Sequence, residues 1–151
     1  MRLELLFEMH ADLRAPTPIG PGPYGTRLIF DVTGGSVAGP RLRGRVLPSG
    51  GDWLLVRPDA YGLLDVRAAV ETEDGAFVYA QYYGVLEMSP RVQRLLASGG
   101  RSEYGEFYFV TQPRFETGDP RYAWLNAVMA VGEGRLLPNA VEYRVYHALP
   151  G

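Results

Sequence analysis

Glycine and proline punctuate this chain at short intervals, and that spacing limits the fold more than any other feature. Its 151 residues include 19 Gly and 12 Pro, which fall between short alternating segments instead of collecting in one linker. Alternation with period two marks a strand with one buried face, and turn residues between such runs predict an all-β chain. The first segment sets Leu3, Leu5, Phe7, Met9 and Ala11 against Glu4, Leu6, Glu8, His10 and Asp12. Residues 16–25 hold four prolines, which forbid helix and central strand, so a loop is expected there. Further strands are expected over 26–33, 41–48, 52–58 and 63–72. Glu73-Asp74-Gly75 then makes a hairpin turn into a partner strand over 76–88, because Asp-Gly supplies the positive backbone angles of a tight reversal.

One helix interrupts the pattern. Ser89 suits an N-cap, Pro90 the first helical position, Val92, Leu95 and Leu96 an apolar stripe, and Gly99-Gly100 the stop. Strands resume over 106–115, 122–132 and 140–149. About nine strands and one short helix predict a single antiparallel β-barrel spanning 1–151, with the helix outside or across one end. Several of these strands carry polar residues beside aromatics, and a barrel can keep them in its lumen around a ligand.

Composition narrows the chemistry. The chain has no Cys, which removes thiolate nucleophiles, disulfides and thiolate metal sites, and every one of its 15 basic residues is Arg. Without Lys there is no Schiff-base amine and no phosphate-loop lysine. Two histidines, His10 and His147, are too few for a three-histidine zinc site, and their spacing supports no metal. A net charge of −2 gives no basic field for nucleic acid. The N-terminal residues show no signal-peptide pattern, and no stretch approaches the roughly 20 apolar residues of a membrane span, so a cytoplasmic location is expected. Neither a cofactor nor a metal is expected. Any catalysis must rest on carboxylates, Arg, Tyr, Asn, Thr or Ser.

Several residues could carry it. Asp52, after Gly50-Gly51, either presents a carboxylate at the barrel mouth or caps turn amides, while Trp53 forms a pocket wall or core. Asp65 and Arg67 are two apart in an extended strand, so they share a face about 7 Å apart. In a lumen, Arg67 holds an anionic or carbonyl group and Asp65 orients it or acts as base; in solvent they form a weak ion pair. Phe77, Tyr79, Gln81 and Tyr83 share a strand face polar enough and large enough to line a cavity. Glu116 is a candidate acid or base, or it fixes the turn around Gly118. Tyr122, Trp124 and Asn126 share a face in the strand expected there.

Three blocks, GGSVAGPRLRGRVLPSGGDW, LDVRAAVETEDGAFVYAQYYG and FYFVTQPRFETGDPRYAWLN, occur in order with sensible gaps. Together they resemble the signature blocks of the domain-of-unknown-function-3237 family of small bacterial and fungal proteins, and the likeness spans nearly the whole chain. The resemblance implies an antiparallel barrel reminiscent of lipocalins and of allene-oxide-cyclase-like barrels, and it favours the lumen for Asp65 and Arg67. It implies no activity. The expected catalytic groups are Asp65, Arg67 and Glu116, with Asp52, Trp53, Tyr83, Trp124 and Asn126 lining the ligand pocket. Two functions fit such a pocket: an isomerase, cyclase or lyase without a cofactor, acting on a small carbonyl or aromatic compound, or a non-catalytic binder of an apolar or aromatic molecule. An interaction protein that pairs subunits through exposed apolar strands is the third reading. The expected partner is a small molecule, not nucleic acid or membrane, and the chain is expected to form a homodimer.

Overall fold

The computed structural model describes residues 1–151. Ten strands form one antiparallel sheet: β1 (Arg2–Leu13), β2 (Thr17–Gly22), β3 (Gly25–Ala38), β4 (Arg43–Val46), β5 (Gly51–Val56), β6 (Tyr61–Thr72), β7 (Phe77–Glu87), β8 (Phe109–Glu116), β9 (Ala130–Leu137) and β10 (Ala140–Leu149). Pairing runs β1-β10-β9-β8-β7-β6 and returns through β5 and β3 to β1, so the ladders complete a circuit. The long β3 pairs with four strands, β5 and β4 along one edge and β2 and β1 along the other. Its first half pairs with β5 and its second half with β1, and Gly34 and Gly35 lie where it joins β1. A Cβ on Gly35 would sit 1.9 Å from the His10 carbonyl oxygen, so only glycine lets the two strands approach this closely.

Inward positions are mostly apolar on the long strands. Leu64, Val66, Ala68 and Val70 of β6 are buried, as are Val78, Ala80, Tyr82 and Leu86 of β7 and Val141, Tyr143 and Val145 of β10. The two helical elements close opposite ends. Helix α1 (Pro90–Ser98) follows β7 directly, with Ser89 Oγ accepting from Val92 N–H at 3.3 Å and Gly99 left-handed at its C-cap, as its sequence signals require. A 3-10 segment, Pro120–Ala127, lies at the other end, where Thr117 Oγ1 donates to the Phe77 carbonyl at the start of β7. Val92 and Leu125, both 0% exposed, anchor these two elements to the core. Neither is long and apolar enough to cross a membrane.

Two local expectations fail for identifiable reasons. The proline-rich stretch is not a loop: Thr17–Gly22 pairs with β3 and with nothing else. Proline cannot sit in a central strand, but an edge strand leaves one row of amides unused, and a proline there costs no ladder bond. Residues 122–132 are not one strand either. Asp119 caps the amide of Arg121 and Pro120 starts the 3-10 segment. The Asn126 side chain then closes on Thr117, accepting from its N–H at 2.8 Å and donating to its carbonyl at 3.0 Å. The strand begins only at Ala130 and runs to Leu137.

Candidate functional site

The barrel encloses a cavity of about 430 Å³ at the α1 end. Its walls are mostly apolar, with Leu54, Leu64, Val66 and Phe109 among them, and its rim is made by residues 13–16, the turn at Asn139 and the last residues of α1. Only two charged residues line it, Arg14 at the rim and Asp52 on the wall. Arg14 is exposed and faces Asp31 at 3.4 Å, so it acts as a solvated rim group.

Asp52 enters the lumen because the β5–β6 ladder opens beside it. Paired residues pass from Asp52↔Val66 to Leu55↔Leu63, with no bridge at Trp53 or Leu54. Into that opening Asp52 turns its carboxylate, and Oδ1 accepts from the Asp65 backbone N–H at 3.1 Å. Beside it, Arg27 Nη1 donates to the Trp53 carbonyl at 2.8 Å. Burial pushes the Asp52 carboxyl up to about 7, the Asp65 charge adds to the rise, and the Asp65 amide and Arg27 hold it back. A carboxyl poised there can both accept and release a proton near neutrality.

Two phenols share the lumen with it. Tyr82 and Tyr143 are 5% and 3% exposed, and their rings meet edge to face with centroids 5.2 Å apart. Phe109 packs edge to face on Tyr143 at 5.6 Å. Burial, with the nearby Asp52 charge, keeps both phenols protonated through the neutral range.

Of the eight site residues expected from the sequence, the structure brings only Asp52 to this cavity. Asp65 and Arg67 stand on the outer wall, 53% and 47% exposed and 3.9 Å apart, because Leu64 and Val66 take the inward positions. Trp53 also faces outward, with the Arg67 guanidinium 5.6 Å from its ring centroid. Tyr83 is exposed on the outer face of β7. Glu116 is exposed at the end of β8, opposite Tyr79. Trp124 and Asn126 belong to the 3-10 segment at the far end, Trp124 under Arg41 at 3.6 Å and Asn126 bonded to Thr117. The Asp65–Arg67–Glu116 set expected from the sequence is therefore not brought together at the cavity, where Asp52, Tyr82 and Tyr143 stand instead. His10 and His147 do lie on paired strands, but His10 is held between Glu142 (2.8 Å) and Asp12 (2.9 Å), while His147 lies opposite Glu4.

Tyr82 and Tyr143 left a usable trace in the sequence. Each is the one hydroxyl-bearing residue on an otherwise apolar alternating face, Val78-Ala80-Tyr82 and Val141-Tyr143-Val145. In a small barrel the apolar stripe faces in, so its single polar member marks the lumen, whereas the richly polar stripe beside it marks solvent.

Comparison with known proteins places the whole chain. It is 34% identical over 149 residues to the UPF0311 protein RPA1785 of Rhodopseudomonas palustris, covering 99% of this chain and 97% of that one. The crystal structure of RPA1785, described as a conserved protein of unknown function, superposes with a TM-score of 0.89 over 99% of both chains. A β-barrel-like protein of Acinetobacter baumannii, 35% identical, gives a TM-score of 0.81 over 97% of this chain and 94% of that one. PR-toxin biosynthesis cluster protein 7 of Penicillium roqueforti is 27% identical over 155 residues, covering 90% and 83% of the two chains. An enzyme of Penicillium herquei shares the fold at 22% identity, with a TM-score of 0.72 over 97% and 94%. The family model for proteins of unknown function designated DUF3237 matches residues 1–148, and the chain belongs to that family.

Proposed function

We propose that the lumen takes a small, largely apolar carbonyl or aromatic compound and that Asp52 moves a proton on it, making the protein an isomerase, cyclase or lyase that needs no cofactor. One observation carries this reading: a single carboxyl, held near neutrality by burial, sits inside an apolar cavity of about 430 Å³. In the simplest step, Asp52 carboxylate removes a proton from the carbon next to a ligand carbonyl. The C–H pair becomes the C=C bond of an enolate and the carbonyl π pair moves to oxygen. Returning the proton to another carbon completes an isomerisation, and loss of a β substituent completes an elimination. Burial of the base in an apolar wall keeps water from competing for the same proton. That one fungal neighbour is described as an enzyme and one relative as a biosynthesis cluster protein fits small-molecule chemistry on this fold.

Proton abstraction is tested directly by exchange. The protein is incubated with 1-indanone in deuterated buffer, and loss of the α-proton signal is followed by NMR. The expected result is exchange above the buffer rate, rising with pH through about 7 and lost in Asp52→Asn, with indanone still bound. Binding without exchange in the parent protein would overturn the catalytic reading and leave a binding protein.

A further inference from the structure

Asp52 and Tyr82 lie on one rung of the wall: Asp52 of β5 pairs with Val66 of β6, which pairs with Tyr82 of β7. Two strand spacings separate them, about 10 Å between backbones, and both side chains point into the same cavity. Tyr143 comes from β10 on the facing wall and meets Tyr82 ring to ring. A phenol this deeply buried must direct its O–H at a partner. Tyr82 and Tyr143 both line the cavity, and the edge-to-face contact with Tyr143 holds the Tyr82 ring in place, so the Tyr82 O–H can be offered to the occupant of the cavity.

Building on the lumen as the ligand site, we propose that Tyr82 donates its O–H to a ligand oxygen that carries or develops negative charge, with Tyr143 as the positioning residue behind it, so that the cavity selects planar enolate- and phenolate-forming compounds. A hydrogen bond to a charged oxygen is worth more than one to a neutral carbonyl, so the contact strengthens as the enolate forms. The apolar walls sharpen the selection, because an anion enters them only where a donor meets it. Asp52 faces the same oxygen from two strands away. It must be protonated when the anion is bound, since two adjacent negative charges in this lumen repel. In the reaction this is the state reached once Asp52 has taken the substrate proton.

The test uses 4-nitrophenol, whose absorption band distinguishes phenol from phenolate, and indane, an apolar ring system without oxygen. Binding of both is measured near pH 8, above the Asp52 titration, to the full chain and to Asp52→Asn, Tyr82→Phe and Tyr143→Phe, with thermal melting as the folding control. Asp52→Asn, which mimics the protonated carboxyl, is expected to bind the phenolate at least about tenfold more tightly than the parent. In that background Tyr82→Phe is expected to weaken phenolate binding about 10- to 100-fold and to leave indane unchanged. Tyr143→Phe is expected to weaken it less, and to shift the bound probe's absorption maximum, which loss of packing alone would not do. If Tyr82→Phe binds phenolate as tightly as its background, or loses indane equally, the tyrosine inference falls while the lumen site stands. If neither probe binds any form of the protein, the lumen reading falls with it.

Discussion

Asp52 and Tyr82 are separated by one residue across the ladder, Val66, and by nothing polar. A proton acceptor and a proton donor thus face one mostly apolar cavity without neutralising each other by direct contact. The arrangement also makes the protein's stability depend on pH. Asp52 titrates in the fold near 7 against 3.8 for an unperturbed group, so the folded state holds its proton more tightly than the unfolded chain. The contribution is fully present below about 4 and is lost as pH rises toward 7, by at most about 4 kcal/mol. His10 changes stability in the same direction: burial opposes its charge, but Glu142 and Asp12 outweigh that and raise it above 6.5. Urea unfolding at pH 4.5, 6 and 8 is expected to show stability falling with pH. In Asp52→Asn most of the fall between pH 4.5 and 6 should vanish, while the His10 part persists; an unchanged slope would place Asp52 in solvent.

Asp65 and Arg67 make the complementary case. Their carboxylate and guanidinium are about half exposed and only loosely paired, so truncating either to Ala is expected to change stability by no more than about 0.5 kcal/mol. What Asp65 gives the site is its backbone N–H, and Asp65→Ala keeps that group. Chemical denaturation and 4-nitrophenol binding should both stay near the parent's values. Weaker binding in Arg67→Ala would put a ligand group on the outer wall.

Gly50 holds the turn that delivers Asp52. Its φ is +85°, and a Cβ there would stand 2.0 Å from the Arg67 carbonyl oxygen. Backbone must move to admit even alanine, so Gly50→Ala is expected to cost about 3 kcal/mol or more. In molecules that still fold, the hydrogen bond from the Asp65 amide to the Asp52 carboxylate is expected to break. Calorimetry checks the first expectation, and a steeper pH–stability slope, from a carboxyl that has lost the bond holding it back, checks the second.

Alternation made most of the barrel legible, since a strand buried on one face writes its period into the sequence. The helix was equally legible, because Ser89, Pro90 and Gly99 each perform a local task that needs no tertiary context. The 3-10 segment was hidden: Tyr122, Trp124 and Asn126 keep strand spacing, and only the long-range closure of Asn126 on Thr117 curls them. The edge strand at Thr17–Gly22 was hidden for another reason, as sequence does not reveal which strands lack a second neighbour. At the site the alternation of β6 and β7 gives the right register, but the polar stripes suggest the wrong lumen. That choice puts Asp65, Arg67 and Tyr83 inside, where unpaired charge is costly, and leaves the apolar Leu64, Val66 and Tyr82 face in water. The burial cost of charge alone decides between the two faces.

The outer face of β7 leaves the aromatic rings of Phe77, Tyr79 and Tyr83 at 60%, 38% and 52% exposure around Gln81. Along its two sides run Asp65 and Arg67 on β6 and Arg114 and Glu116 on β8, two acids and two bases. A two-fold axis crossing the strands at right angles between Gln81 and Tyr83 sets Asp65 of each copy against Arg67 of the other. We propose a homodimer through this face. Sedimentation is expected to give twice the 16.7 kDa chain mass at micromolar concentration. Tyr83→Arg, which adds a charge at the centre of this face, is expected to return the monomer without changing 4-nitrophenol binding, because Tyr83 points away from the lumen. A parent protein that sediments as a monomer at high micromolar concentration would remove the dimer, and a Tyr83→Arg protein that stays dimeric would move the interface to another face.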